Sequence, residues 1–382
     1  MRLRFLAAVG AAVVAAVIAT PPGPALADGT RDAQWYLKTL HISQAHAITE
    51  GAGVTVAVVD SGTYPHPDLR RNLLAGATTV SGETGNGQDD NSGHGTNMAA
   101  VIAAHGRGGD GVLGIAPAAK ILPVKVENTP EEAAKANLGK GIEQAVLSRA
   151  DVINVSVGTG PDSDIEDAVA DALHANVVVV AAVGNSPESA IIDYPAAIDG
   201  VLVVGATRRD GKHASFSIDD PKVQLCAPGD KVRTAQPKSS YVDSTGTSPA
   251  AAIVSGAAAL VRAKFPRLSA REVIHRLTAT ADDIGPPGRD NECGYGELNV
   301  VRTLTADVPP LAGATASAAP AASSAGSGQD GYLDPGATTA ATTPAAAPAS
   351  EWTSVVVGAV AGLVVAGGVV GVLLVRRRRR WG

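Results

Sequence analysis

The sequence predicts an α/β layered fold whose central, mainly parallel sheet is covered by helices. Short β-branched runs recur at Val54–Val59, Ile121–Val126, Val152–Val157, Val177–Ala182 and Val201–Val204. They are apolar throughout instead of alternating, which is the pattern of strands buried on both faces. Between them, Glu131–Arg149 and Asp164–Ala175 are rich in Ala, Glu, Lys and Leu, with acids early, as helix N-termini favour. Strands alternating with helices imply right-handed crossovers, and functional residues in such sheets gather at the carboxyl ends of the strands.

The two ends of the chain read differently from this middle. Arg2 and Arg4 precede an uncharged run from Phe5 to Thr20, followed by Ala25-Leu26-Ala27. Basic, apolar and small-residue parts in that order are a secretory signal peptide, residues 1–27, and the apolar run is too short to span a bilayer. Residues 353–375 carry no charge and are long enough to cross a bilayer core, and Arg376 to Arg380 follow at once. Basic flanks stay inside, so the sequence predicts a single-pass cell-membrane protein. Its bulk is then extracytoplasmic, and the basic tail, residues 376–382, is cytoplasmic.

The chain has a formal net charge of −6, and seven of its arginines lie in the leader and tail, which hold no acids. The exported part is therefore more acidic still, which argues against nucleic acid as a partner. Residues 307–352 are almost wholly Ala, Pro, Ser, Thr and Gly and cannot bury enough surface to order themselves, so they are expected to form a disordered stalk. That leaves residues 28–306 for one domain with a real core. Its two cysteines, Cys226 and Cys293, read most economically as one disulfide in an oxidising compartment, with two separate buried thiols as the alternative.

Four residues in this domain carry chemistry. Asp60 ends an apolar run, where it is placed to orient a histidine, although a turn or cap aspartate sits there equally well. His94, between Gly93 and Gly95, has the open setting that a general base needs. The other histidines lack such a setting; His66, between Pro65 and Pro67, is read as structural. Ser248 opens the Ala-rich helix that runs through Ala250–Val261, where unpaired amides favour a developing oxyanion; an ordinary helix cap is the competing reading. Asn185, after the run Val177–Gly184, offers either an oxyanion donor or a turn asparagine.

Taken together, the stretches Val58–Gly62 (VVDSG), Gly93–Thr96 (GHGT), Ala181–Asn185 (AAVGN) and Gly246–Ser248 (GTS) resemble the signature blocks of the subtilisin-like serine proteases. They also stand in that family's order of Asp, His, Ser. Gly111–Pro117, Ala227–Gly229 and Gly294–Gly296 agree with it, and the likeness runs from about Gln34 to Leu304. The leader, Pro-rich stalk, single span and basic tail look like the mycosins, membrane-anchored proteases associated with type VII secretion. The resemblance implies a three-layer subtilisin-like fold and a serine endopeptidase that cleaves exported proteins. It implies that Ser248 is the nucleophile, His94 its base and Asp60 the residue that orients the base. The Asn185 amide and Ser248 N–H then form the oxyanion hole, and Ser156, Val157 and Gly158 form the edge that pairs with an extended peptide. No cofactor and no metal are implied, and Asp89-Asp90-Asn91 reads as a solvated loop. Components of the secretion membrane complex are the implied partners, besides the lipid bilayer at residues 353–375.

The pattern also departs from that family. Pro249 follows Ser248 where the family has Met or Phe, and Ala252, Asn97 and Ala100 stand where it has Pro, His and Gly. Proline suits the first turn of a helix but pushes the residue before it out of the α region. A displaced Ser248 with weak turnover, in a chain acting mainly as a structural subunit of a secretion machine, is the alternative expectation. Only a short segment, residues 28–50, precedes the first strand, too little for a long cleavable prodomain, and it is expected to stay attached and pack on the domain.

Overall fold

Side chains alternate along each strand of the central sheet, and that alternation decides which of two helical layers each one meets. The structure, a computed structural model, describes residues 29–128, 135–185 and 191–311. The leader, most of the stalk, the apolar segment 353–375 and the basic tail lie outside them. No helix among the described residues is long and apolar enough to cross a membrane.

In chain order, three short helices, α1 (Thr30–Ala33), α2 (Trp35–Thr39) and α3 (Ile42–His46), lead into β1 (Thr55–Asp60). There follow β2 (Ala77–Thr78), α4 (His94–Ala103), the hairpin β3 (His105–Arg107) and β4 (Asp110–Leu113), β5 (Lys120–Lys125), α5 (Lys135–Leu147), β6 (Val152–Val155), α6 (Ser163–His174), β7 (Val178–Ala182) and β8 (Leu202–Thr207). The chain continues through β9 (Leu225–Pro228), the ribbon β10 (Val232–Gln236) and β11 (Ser240–Ser244), then α7 (Thr247–Lys264), α8 (Ala270–Ala279) and α9 (Val300–Thr305).

Seven strands pair in the order β2-β5-β1-β6-β7-β8-β9, and every pairing is parallel. The order reverses about β1: the chain first lays down β2 at the edge and then β5 between β2 and β1, and afterwards adds β6 on the other side of β1. Ligands in open α/β sheets bind beyond the strand ends at such a switch point.

Val56 and Val58 of β1 pack into one apolar cluster with Met98 and Val101 of α4 and Ile253 of α7, while Ala57 and Val59 enter a second with Ile142 of α5 and Val169 of α6. Both faces are dry, so the strands read as continuous apolar runs. Helix α7 is buried from Thr247 to Arg262, and its alanines let it lie close against the sheet. Asp162 caps α6 by accepting from Asp164 N, one residue earlier than the acidic run predicts.

The segment before β1 is built into the domain. Tyr36 is fully buried and its hydroxyl donates to Arg233 O, Trp35 Nε1 donates to Asp230 O, and the Gln34 side chain pairs with both backbone groups of Leu113. At the other end of the domain, Cys226 of β9 and Cys293 form a disulfide. Leu298 N donates to Cys226 O, so the segment after Cys293 covers the outer edge of the sheet.

Candidate active site

Asp60 is the last residue of β1 and is fully buried. Two glycine-containing turns bring His94 to it. A methyl group on Gly95 would lie 2.1 Å from Gly62 O, so only glycine there lets the start of α4 close onto the turn after β1. His94, the first residue of α4, then places Nδ1 2.8 Å and 3.0 Å from the two Asp60 carboxylate oxygens. Burial pushes the imidazolium down, but the charge and hydrogen bond of Asp60, aided by Glu127 and Asp90, outweigh it and raise the His94 pKa to about 9.

The position of His94 depends on a residue that the sequence reading placed in a solvated loop. Gly93, the residue capping α4, has no side chain, and Asp90 takes over that role. Its carboxylate accepts from Gly93 N (2.7 Å), Thr96 N (2.9 Å), the Thr96 hydroxyl and Ser61 Oγ (2.8 Å). Asp90 is 6% exposed, which corrects the solvated reading for this one residue, while Asp89 and Asn91 beside it are exposed; burial pushes its carboxyl up against the lowering effect of these bonds. Ser61 Oγ in turn accepts from Gly95 N, tying the turn after Asp60 to the helix that carries His94. A glycine at a helix cap with an acid three residues before it is the signal that would have found Asp90.

Ser248 lies in the first turn of α7, with Pro249 next to it. The proline costs no hydrogen bond, because amides of the first turn have no acceptor within the helix. The approach to Ser248 is set by Gly246, whose φ of 149° and ψ of −179° suit glycine alone. Ser248 Oγ donates to Ser156 O at 3.2 Å; His94 has no hydrogen bond to it. Ser156, just beyond β6, is backed by a buried chain that sequence reasoning also missed: Asn154 Nδ2 donates to Ser156 Oγ and Ser255 Oγ of α7 donates to Asn154 Oδ1.

Asn185 follows β7 and lies beside α7. Its Oδ1 accepts from Thr247 N (2.7 Å) and Thr247 Oγ1 (3.0 Å), which leaves the amide N–H groups for another acceptor. His94, Ser248 and Asn185 line one cavity of about 420 Å³ together with Ser156, Val157 and Gly158. No cluster of acidic, histidine or cysteine ligands suited to a metal occurs among the described residues.

A parallel α/β sheet whose switch point joins a buried Asp–His pair, a serine on a helix N-terminus and an unengaged amide is the architecture of a serine peptidase. The chain belongs to the subtilase family, Peptidase S8, which matches residues 51–296, and it is a subtilisin-like serine endopeptidase. It is 39% identical over 268 residues to subtilisin BL of Lederbergia lenta, covering 69% of this chain and 96% of that one. Over 242 residues it is 40% identical to subtilisin DY of Bacillus licheniformis, covering 62% of this chain and 86% of the relative. Among solved structures it is similar to MycP1 from Mycobacterium smegmatis, with a TM-score of 0.64 at 29% identity, covering 76% of this chain and 88% of that one. It is also similar to the MycP3 protease of the type VII (ESX-3) secretion system, with a TM-score of 0.62 at 32% identity, covering 72% and 88%.

Proposed function

We propose that the chain is a membrane-anchored, extracytoplasmic endopeptidase linked to type VII secretion, with Asp60, His94 and Ser248 as its catalytic triad. The observation that carries the triad is the Asp60–His94 pair facing, across one cavity, a serine at the start of α7. The secretion link is supported by the likeness to MycP1 and MycP3, and the anchoring by the apolar segment 353–375 with its arginines.

An extended peptide lies along Ser156, Val157 and Gly158 and adds a strand to that edge. Ser248 Oγ swings from Ser156 O to His94 Nε2, gives up its proton there and attacks the scissile carbonyl carbon. The tetrahedral oxyanion accepts from Asn185 Nδ2 and Ser248 N–H. His94 then passes the proton to the leaving amine, and water repeats the sequence on the acyl-enzyme. Asp60 keeps the Nδ1–H tautomer and stabilises the imidazolium.

The test is labelling of the full-length chain, in detergent, with a serine-reactive fluorophosphonate. Labelling that disappears in Ser248→Ala supports the assignment; equal labelling of the two chains removes Ser248 from it.

A second reading, a weakly active subunit with a mainly structural role, is favoured by the bond from Ser248 Oγ to Ser156 O instead of to His94. On that reading Pro249→Met frees the first turn of α7, and acylation in single-turnover peptide cleavage speeds up. An unchanged acylation rate counts against it.

A further inference from the structure

We propose that Asp193 makes this peptidase select a basic residue, lysine or arginine, on the acyl side of the scissile bond. The proposal rests on Ser248 being the nucleophile. The cavity beside Ser248 runs between two segments, Ser156–Gly158 leaving β6 and the end of β7 at Ala182–Asn185. Its near end is marked by the bond from Ser248 Oγ to Ser156 O. Just beyond Gly158, Thr159 and Tyr194 exchange backbone hydrogen bonds of 3.1 Å and 2.8 Å, which holds the segment carrying Asp193 against it. Asp193, which is exposed, borders the cavity there, opposite Gly158: a methyl group on Gly158 would lie 2.8 Å from Asp193 Cβ and 3.4 Å from Oδ2.

Ser156 and Gly158 are two residues apart, so at most about 7 Å of chain separates them. A substrate side chain entering beside Ser248 needs a stem of that order to meet the carboxylate. The long, apolar stems of lysine and arginine reach it and end in a cation. Phenylalanine and leucine arrive with no charge to offer, and an acidic side chain is repelled.

The rest of the lining leaves Asp193 uncompensated. Among the described residues that border the cavity, His94 at the opposite end is the only group able to carry positive charge. Tyr194 donates its hydroxyl to Glu166 Oε1 at 2.6 Å, so that hydroxyl is not offered to Asp193. Among the described residues, no lysine or arginine forms an ion pair with Asp193. A bound cation is therefore the partner that offsets the carboxylate's lost hydration when substrate covers the cavity.

The test compares two peptidyl phosphonates that differ only at the reactive residue, lysine-like or leucine-like, on the full-length chain. Their ratio of rates on one variant cancels any change in folded fraction. The lysine probe is expected to react about ten-fold faster, the order of one ion pair formed in a partly covered site. Asp193→Asn is expected to bring the ratio near one, and Asp193→Lys to favour a glutamate-like probe. Equal rates in the parent chain, or a lysine preference that survives Asp193→Asn, overturn the proposal. If Ser248 is silent to both probes and also to a small, unselective fluorophosphonate, the catalytic reading falls and this proposal falls with it. Reaction with the small probe alone overturns only the selectivity.

Discussion

Thr247 donates both its backbone amide and its hydroxyl to Asn185 Oδ1, at 2.7 Å and 3.0 Å, so the residue before Ser248 fixes which way the Asn185 amide faces. An amide whose oxygen is fully engaged presents its N–H groups to the cavity. A side chain on Gly246 would put a carbon 3.1 Å from Asn185 Nδ2, so the turn into α7 protects this orientation.

Asn185→Asp tests the role of that amide. Aspartate still accepts from Thr247 but donates nothing, and its charge opposes an oxyanion. We expect kcat to fall at least about 10²-fold, the order of loss found for such a donor in a subtilisin, with KM and Tm little changed. A lower Tm with unchanged kcat per folded molecule would mark Asn185 as a loop anchor only.

On the proposed mechanism the base form of His94 is the active one, and its pKa is raised to about 9. In the profile of kcat/KM for a peptide substrate, activity rises about ten-fold per pH unit on the acid side and levels off above about pH 9. The sign for stability is opposite. Because the folded value lies above the unfolded value of about 6.5, the pairing with Asp60 stabilises fully below pH 6.5 and is lost as pH rises through about 9. Urea titrations of His94→Ala and the parent chain should converge at alkaline pH.

Asp90 holds the first turn of α4, and with it His94. Asp90→Ala should cost about 1–2 kcal/mol in urea unfolding, the value of a helix cap, and should reduce kcat/KM, whereas Asp90→Asn keeps one acceptor and recovers part of both. Full activity in Asp90→Ala would separate the cap from the positioning of the base.

The disulfide closes a loop with a sequence separation of 67. In the chain-entropy view this is worth about 4 kcal/mol. The urea midpoint of the Cys226→Ala, Cys293→Ala double variant should fall accordingly, and the parent chain unfolded with reductant should match it. Coincident midpoints for the oxidised and reduced parent would refute a stabilising role.

The central strands were legible because burial on both faces leaves an uninterrupted β-branched run: Val54–Val59 became β1, shifted by one residue, and Val177–Ala182 became β7. The strands β9, β10 and β11 were not legible. The first is four residues ending in Pro228, and β11 is half exposed, so neither shows a long apolar run nor a clean alternation. Asp90 and Asn154 were missed for a different reason. Asn154 meets Ser255 101 residues away, and an acid three residues before a capping glycine, the pattern of Asp90, reads equally as a solvated loop.

By itself the sequence determined the layered α/β class, the family and the four stretches that carry Asp60, His94, Asn185 and Ser248, because strand period, turn glycines and motif order are local properties. Only the tertiary structure decided how those stretches act on one another. The Asp60–His94 bond, the Asn185 orientation, the resting contact of Ser248 and the place of Asp193 opposite Gly158 join segments 34 to 92 residues apart. Contacts at that range arise from how β1, β6, β7 and α7 pack, and packing depends on the whole core.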